Sequence, residues 1–238
     1  MKQLTINCDV GEGANNEAEL MPYIHSCNIA CGGHAGDEKL MKSVVELAIK
    51  HNVKIGAHPS YPDKVNFGRK TMLIVTDELK KTIQNQINTL SKIIKKKGSR
   101  LHHIKPHGAL YNDIAKNTQL ALVFLEAISP YKKNIKLYVP FNSEIEKSAI
   151  KEGFSIIYEA FADRNYNEDL SLVSREKSNA VISNPTIIFE RVTEMINTNK
   201  ITTITGRKVA IKATTFCVHS DTENAVKIVT YLHQKRAI

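Results

Sequence analysis

Short runs rich in β-branched and aliphatic residues alternate with amphipathic stretches along the whole of the 238-residue chain, and this alternation restricts the fold more than any other feature. A strand followed by a helix that returns the chain to the same sheet is a βα unit, and successive units build a parallel sheet covered by helices. The spacing predicts strands at Leu4–Val10, Ser26–Cys31, Lys54–His58, Leu101–His107, Lys136–Pro140, Ser155–Ala162 and Val209–His219. Helices are predicted over Asp37–Lys50, with Asp37 as N-cap, and over Asp77–Lys97, with Thr76 as cap and Gly98 as terminator. Further helices are predicted over Ser143–Glu152, Pro185–Thr198 and Thr222–Lys235, and Asn165–Asn184, which follows neither period, reads as a loop excursion. No Pro/Gly/Ser-rich linker interrupts the alternation, so residues 1–238 are expected to form one catalytic α/β domain, either a barrel or a doubly wound sheet.

Charge and apolar patterning narrow the functional classes. The net charge of +9 would suit nucleic acid, but the densest basic run, Lys92–Arg100, closes a helix whose apolar positions are Leu79, Ile83, Ile87, Leu90 and Ile94. Those lysines fall on the solvated face near the helix C-terminus, and few aromatics are placed to stack bases, so no nucleic-acid partner is expected. No apolar run approaches the ~20 residues of a membrane span, and the start MKQLTINCDV reads as a strand rather than a signal peptide. A cytoplasmic protein without membrane attachment is expected. Cys8, Cys27, Cys31 and Cys217 are too sparse for a disulfide framework and read as reduced thiols.

In barrels of βα units the active site lies at the C-terminal ends of the strands, and polar residues collect at those ends here. The first strand leads to Asn7, Asp9 and Glu12, the second to His34 and Asp37, the third to His58, and the fourth to His103, Lys105 and His107. The sixth leads to Glu159, Asp163 and Arg164, and the last to Cys217, His219 and Asp221. Because residues i and i+2 of a strand share a face, Asn7 goes with Asp9, His103 with Lys105 and His107, Glu159 with Phe161 and Asp163, and Cys217 with His219. A closed core would not tolerate so many unpaired charges, so a shared polar site explains them best. His25, His51, His102 and His233 are assigned structural roles, and Asp37 is as well explained by capping as by ligand binding.

The segments NCDVGEG (Asn7 to Gly13), NIACGGHAGD (Asn28 to Asp37), IGAHPSYPD (Ile55 to Asp63), FGR (Phe67 to Arg69), KPHGALYN (Lys105 to Asn112), EAFADRNY (Glu159 to Tyr166) and CVHSD (Cys217 to Asp221) resemble, in order, the signature blocks of the LamB/YcsF family, the A subunits of 5-oxoprolinase. The resemblance implies a distorted seven-stranded βα barrel of the glycoside hydrolase/deacetylase type. It also implies the reaction 5-oxo-L-proline + ATP + 2 H2O giving L-glutamate, ADP and phosphate, carried out with partner B and C subunits. ATP is then consumed by the complex and bound by the partners, since the chain has no G-x-x-x-x-G-K-[ST] loop. Two positions depart from the family pattern: Gly33 stands where an aromatic is usual, and Ser220 where glycine is usual.

Opening a lactam requires an activated carbonyl, a positioned water and a proton for the leaving nitrogen. The resemblance and the strand-end positions together nominate Asp9 or Glu12 as base, Lys105 with Arg69 or Arg164 as the cationic groups, and His107 or His219 as proton donor. Asn7, His34, His58, Arg69, Glu159, Asp163, Arg164 and Asp221 are nominated to bind substrate, and no residue is assigned to a metal. Asp9→Asn or Lys105→Ala is expected to abolish glutamate formation while leaving thermal unfolding nearly unchanged. A second reading is a metal-dependent amide hydrolase or deacetylase in which Asp9, His34 and His58 bind a divalent cation. A third is a non-catalytic subunit that holds substrate for its partners.

Overall fold

The computed structural model describes residues 4–235. Strands β1 (Ile6–Val10), β2 (Ser26–Ala30), β3 (Lys54–His58), β4 (His103–Ile104), β5 (Lys136–Pro140), β6 (Ile156–Phe161) and β9 (Thr215–His219) close into a parallel barrel in that order, β9 pairing with both β6 and β1. The short strands β7 (Lys200–Thr202) and β8 (Lys208–Ala210) form a separate antiparallel ribbon. The helices are α1 (Glu17–Leu20), α2 (Glu38–Lys50), α3 (Thr76–Lys96), α4 (Gly108–Lys116), α5 (Thr118–Ile128), α6 (Glu144–Lys151), α7 (Pro185–Thr198) and α8 (Ala225–Gln234). None of the helices among the described residues is long and apolar enough to cross a membrane.

Alternation along each strand sorts the side chains into two environments. Ile6, Cys8 and Val10 of β1, Ile55 and Ala57 of β3, Leu137 and Val139 of β5 and Phe216 and Val218 of β9 are buried in the apolar layer that also takes Val44 and Val45 of α2 and Ile83, Ile87 and Leu90 of α3. Each large aliphatic side chain so buried contributes about 1.5–3 kcal/mol. The other face of the strands carries polar groups into the barrel, and there Gly56 is required by its neighbour. A Cβ on Gly56 would lie 2.1 Å from Nε2 of His103, the residue paired with it across β3 and β4.

Four local expectations are corrected. The fourth strand is confined to His103–Ile104, because Pro106 has no N–H to donate, although Lys105 N–H and His107 N–H still bond to the carbonyls of Ala57 and Pro59 at 2.9 Å. The single strand expected at Val209–His219 is two elements, β8 and β9, separated by a crossing segment in which Ile211 N–H bonds to Asn199 O. Thr76 is the first residue of α3 rather than its cap, and the capping position, Val75, makes no side-chain bond. Helices α4 and α5 were not foreseen; α5, TQLALVFLEAI, is apolar on most sides and so lacks the stripe that marks an amphipathic helix.

Other local readings agree with the structure. Asp37 caps α2 by accepting the Leu40 N–H at 2.8 Å, and Gly98, at φ 72°, follows the end of α3. Residues 165–184 lack helix and contain only the isolated bridges Arg164–Val181 and Tyr166–Leu172. Ser220 is not among the residues with positive φ, so the turn before Asp221 does not need a glycine.

Candidate functional site

The barrel interior is layered. At the lower level Asn28 Nδ2 donates to Asn7 Oδ1 at 2.8 Å and to Asp9 Oδ1 at 2.7 Å, while its carbonyl accepts the His103 Nε2–H at 2.7 Å. Asn7 donates in turn to Thr215 Oγ1, and His103 stacks on Tyr138 with centroids 4.1 Å apart. This neutral layer fixes the carboxylate of Asp9 from below. Asn28 was not foreseen as part of the site, though its position two residues from Ser26 on β2 places it on the inward face.

Above this layer lies Lys105, with 1% of its side chain exposed. Its ammonium donates to Asp9 Oδ1 at 2.9 Å and to Cys217 Sγ at 3.0 Å, and pairs with Glu159 Oε1 at 3.0 Å. Burial disfavours the charged amine, but Asp9, Cys217 and Glu159 more than reverse this and hold Lys105 protonated well above the ordinary lysine range. For Asp9 burial also opposes the charge, and the positive charges of His58 and Lys105 overcome it, keeping the carboxyl well below the usual range. Glu159 goes the other way: burial dominates the pull of Lys105 and raises its pKa. The floor therefore carries one fixed cation and one fixed anion.

Two histidine systems flank this pair. On one side His219, from the end of β9, places Nδ1 3.0 Å from Asp163 and Nε2 4.0 Å from Asp9 Oδ2. Asp163 also accepts the His219 backbone N–H and the Thr222 hydroxyl, and these partners outweigh burial to lower its pKa. On the other side Glu12 Oε1 lies 2.8 Å from His34 Nε2, 3.0 Å from His107 Nδ1 and 3.6 Å from His58 Nε2. Burial lowers the pKa of His34 to about 4 and that of His107 below its ordinary value, while Asp9 raises that of His58 against the effect of burial.

Asp9, His58, Lys105, His107 and His219 line a cavity of about 470 Å³ at the C-terminal ends of the strands. Its rim carries Arg69, Lys70 and Arg175, and Arg69 and Arg175 approach the Asp221 carboxylate at 2.5 Å and 3.6 Å. Arg175 was not nominated from the sequence, because it lies in the aperiodic 165–184 stretch that gives no sign of which residues return to the barrel. A second cavity of about 200 Å³ adjoins the first across Tyr111 and Phe161 and is also lined by Glu159.

Of the other nominated residues, Asn7, Glu12 and His34 are buried beneath or beside the large cavity and do not line it. Arg164 borders the cavity, but its guanidinium donates to the carbonyls of Ala180 and Val173, so it also secures the 165–184 excursion. Asp9, His34 and His58 do not converge as one ligand set: Asp9 meets His58 at 3.4 Å, whereas His34 is directed at Glu12.

A closed seven-stranded βα barrel with a buried lysine, several histidines and carboxylates at its C-terminal rim defines an α/β-barrel protein with an enzyme-type polar pocket. The sequence profile of the LamB/YcsF family matches residues 4–237, and the chain belongs to that family. It is 39% identical over 240 residues to the 5-oxoprolinase A subunit of Bacillus cereus (strain B4264), covering 98% of this chain and 95% of that protein. It is 39% identical over 249 residues to the same-named protein of Bacillus anthracis (strain CDC 684 / NRRL 3495), covering 100% and 98%. The crystal structure of the lactam utilization protein from Thermus thermophilus superposes with a TM-score of 0.89 at 32% identity, over 98% of this chain and 97% of that one. A putative cellobiose-phosphate cleavage protein from Enterococcus faecalis V583, at 15% identity and a TM-score of 0.58 over 100% and 95% of the two chains, shares the fold.

Proposed function

We propose that this chain is the A subunit of a cytoplasmic 5-oxoprolinase, that residues 1–238 act as one catalytic barrel domain, and that it opens the lactam ring of 5-oxo-L-proline to L-glutamate with B and C subunits that bind and consume ATP. The observation that carries the reading is the placement of Lys105 between Asp9 and Glu159, facing a cavity that also presents the Asp163–His219 pair. A lactam places two demands on a site: charge developing on its carbonyl oxygen must be stabilised, and its nitrogen must be protonated as the ring opens.

Each demand has a residue suited to it. Lys105 is a fixed, desolvated cation, suited to a carbonyl oxygen or a phosphorylated form of it. His219, with Nδ1 held by Asp163, presents Nε2 toward the cavity and can take a proton from water and return it to the lactam nitrogen. Asp9, stabilised as an anion, is a weak base and serves to position Lys105 and His58. The substrate carboxylate is assigned to Arg69 and Arg175 on the rim, whose guanidinium groups suit planar anions.

The test is reconstitution with the partner subunits, 5-oxoproline and ATP, detecting glutamate. Glutamate formation that requires this chain, and is lost with His219→Gln, supports the catalytic reading. Full turnover in both Lys105→Met and His219→Gln would instead favour a subunit that only holds substrate.

A further inference from the structure

Among the described residues, every ion-pair partner of Glu12 is a histidine, and Lys105 and the arginines are engaged elsewhere. Three donor atoms close on one point: Glu12 Oε1, His58 Nε2 and His107 Nδ1 are 3.0, 3.0 and 3.6 Å from one another. Tetrahedral or octahedral ligands held about 2.1 Å from a zinc-sized ion are about 3.0–3.4 Å apart; the two edges that meet at His107 Nδ1 have this length, and the third, from Glu12 to His58, is 3.6 Å and would shorten slightly around an ion. The two imidazole planes are 88° apart rather than stacked.

The outer hydrogen bonds fix which nitrogens face inward. His58 Nδ1 is 2.7 Å from the Lys105 carbonyl and His107 Nε2 is 3.0 Å from the Phe67 carbonyl. A carbonyl can only accept, so both of these nitrogens carry hydrogen, and in the neutral rings the lone pairs lie on His58 Nε2 and His107 Nδ1. Backbone-carbonyl partners of this kind commonly orient metal-binding histidines. Two lone pairs cannot meet at 3.0 Å without a positive charge between them.

We propose that Glu12, His58 and His107 form a binding site for one divalent transition-metal cation of the zinc, manganese or cobalt type, at the edge of the large cavity. Imidazole and carboxylate together suit such ions. His34 is not a ligand: its ring stacks parallel on His107 at 3.5 Å and 4°, so its own lone pair runs alongside that of His107 rather than toward the same point. Its Nε2–H instead donates to Glu12 at 2.8 Å and holds that carboxylate in place. The open side of the triangle faces the cavity lined by His58 and His107, with Asp9 Oδ2 3.4 Å from His58 Nε2. This assignment does not rest on the lactam reading, and the competing occupant is a single proton on His58 Nε2 or His107 Nδ1.

The experiment is chelator treatment of the full chain, dialysis against Zn2+, Mn2+ or Co2+ separately, and elemental analysis of bound metal per chain. At least one ion is expected to be retained at about one per chain. His58→Ala, His107→Ala and Glu12→Gln are each expected to weaken binding by about 100-fold or more, and Co2+ should give visible d–d absorption that those variants lose. His102→Ala, outside the triangle, should bind as the parent chain does. Retention below about 0.1 ion per chain for all three metals would overturn the proposal without the use of any variant. So would undiminished retention in a His58→Ala/His107→Ala double variant that keeps its circular dichroism.

Discussion

The side-chain amide of Gln86, reaching in from α3, occupies the space that a side chain at Gly33 would need: a Cβ there would lie 2.5 Å from Gln86 Oε1 and 2.4 Å from Ser60 Oγ. Gln86 accepts the Ser60 N–H at 3.0 Å and donates to the Ser60 carbonyl at 2.8 Å, so the amide is held at both ends. The glycine at position 33 is thus matched by a polar plug from a neighbouring helix. Gly33→Ala is expected to cost about 1–3 kcal/mol, the penalty for displacing a buried, doubly bonded amide. Gly33→Phe should cost more, and Gly33→Phe/Gln86→Ala should recover a large part of the loss. Urea unfolding of the three variants tests this, and additive losses in the double variant would show that the two positions do not share the space.

Lys105→Met keeps most of the length of the side chain and removes its charge beside Asp9 and Glu159. Glutamate formation is expected to disappear. The buried position also corrects the expectation of unchanged unfolding, because removing one partner of a buried pair leaves an uncompensated charge and costs about 3–5 kcal/mol. Thermal unfolding followed by circular dichroism should show a clearly lower midpoint for Lys105→Met and for Lys105→Ala. A parental midpoint would mean that the Asp9 pair contributes little to the fold.

His219→Gln should lower kcat by about 10²–10⁴, the range for loss of a positioned acid–base group, with little change in stability because His219 sits at the partly exposed rim. Asp163→Asn keeps a polar partner at His219 Nδ1 without the charge, and should also lower kcat. Steady-state kinetics of the reconstituted enzyme provides the measurement. Parental kcat in His219→Gln would move the proton transfer to another group.

Arg175→Ala should raise KM by about 10-fold and leave kcat within about 2-fold, the pattern of an interaction made equally with the bound substrate and the transition state. Because Arg175 shares Asp221 with Arg69, the Arg69→Ala/Arg175→Ala double variant should lose more than either alone. A fall in kcat with KM unchanged would place Arg175 in the chemistry rather than in substrate binding.

The strands that position the site were legible because each carries an inward polar residue two places from the next: Asn7 and Asp9, His103 and Lys105, Cys217 and His219. That period, with apolar residues between, registers both the strand and the side facing the site. Helix α5 lacked an equivalent signal, since contact with α3, α4 and α6 buries it on several sides and erases its polar face. Arg175 and Gln86 could not be found from period at all. One arrives on an irregular excursion and the other from the inner face of a helix, where a buried glutamine makes only one interruption in an apolar stripe.

His102 supplies a pH-dependent element distant from the cavity. It is half-buried at the start of β4, where its Nδ1 lies 3.0 Å from Nδ1 of His103, and burial, reinforced by Lys54, Lys136 and Arg100, lowers its pKa to about 4. In the unfolded chain a histidine titrates near ~6.5, so between those values the unfolded state binds the proton and the folded state does not. The contribution of neutral His102 is therefore fully present above pH ~6.5 and is lost as pH falls through this window toward ~4. His102→Gln removes the titrating group, and the urea midpoint of this variant should fall less than the parent's between about pH 7 and pH 4.5. An equal fall in the two proteins would assign the acid sensitivity of this window to other residues, with buried His103, also held well below its ordinary range by burial, the next to test.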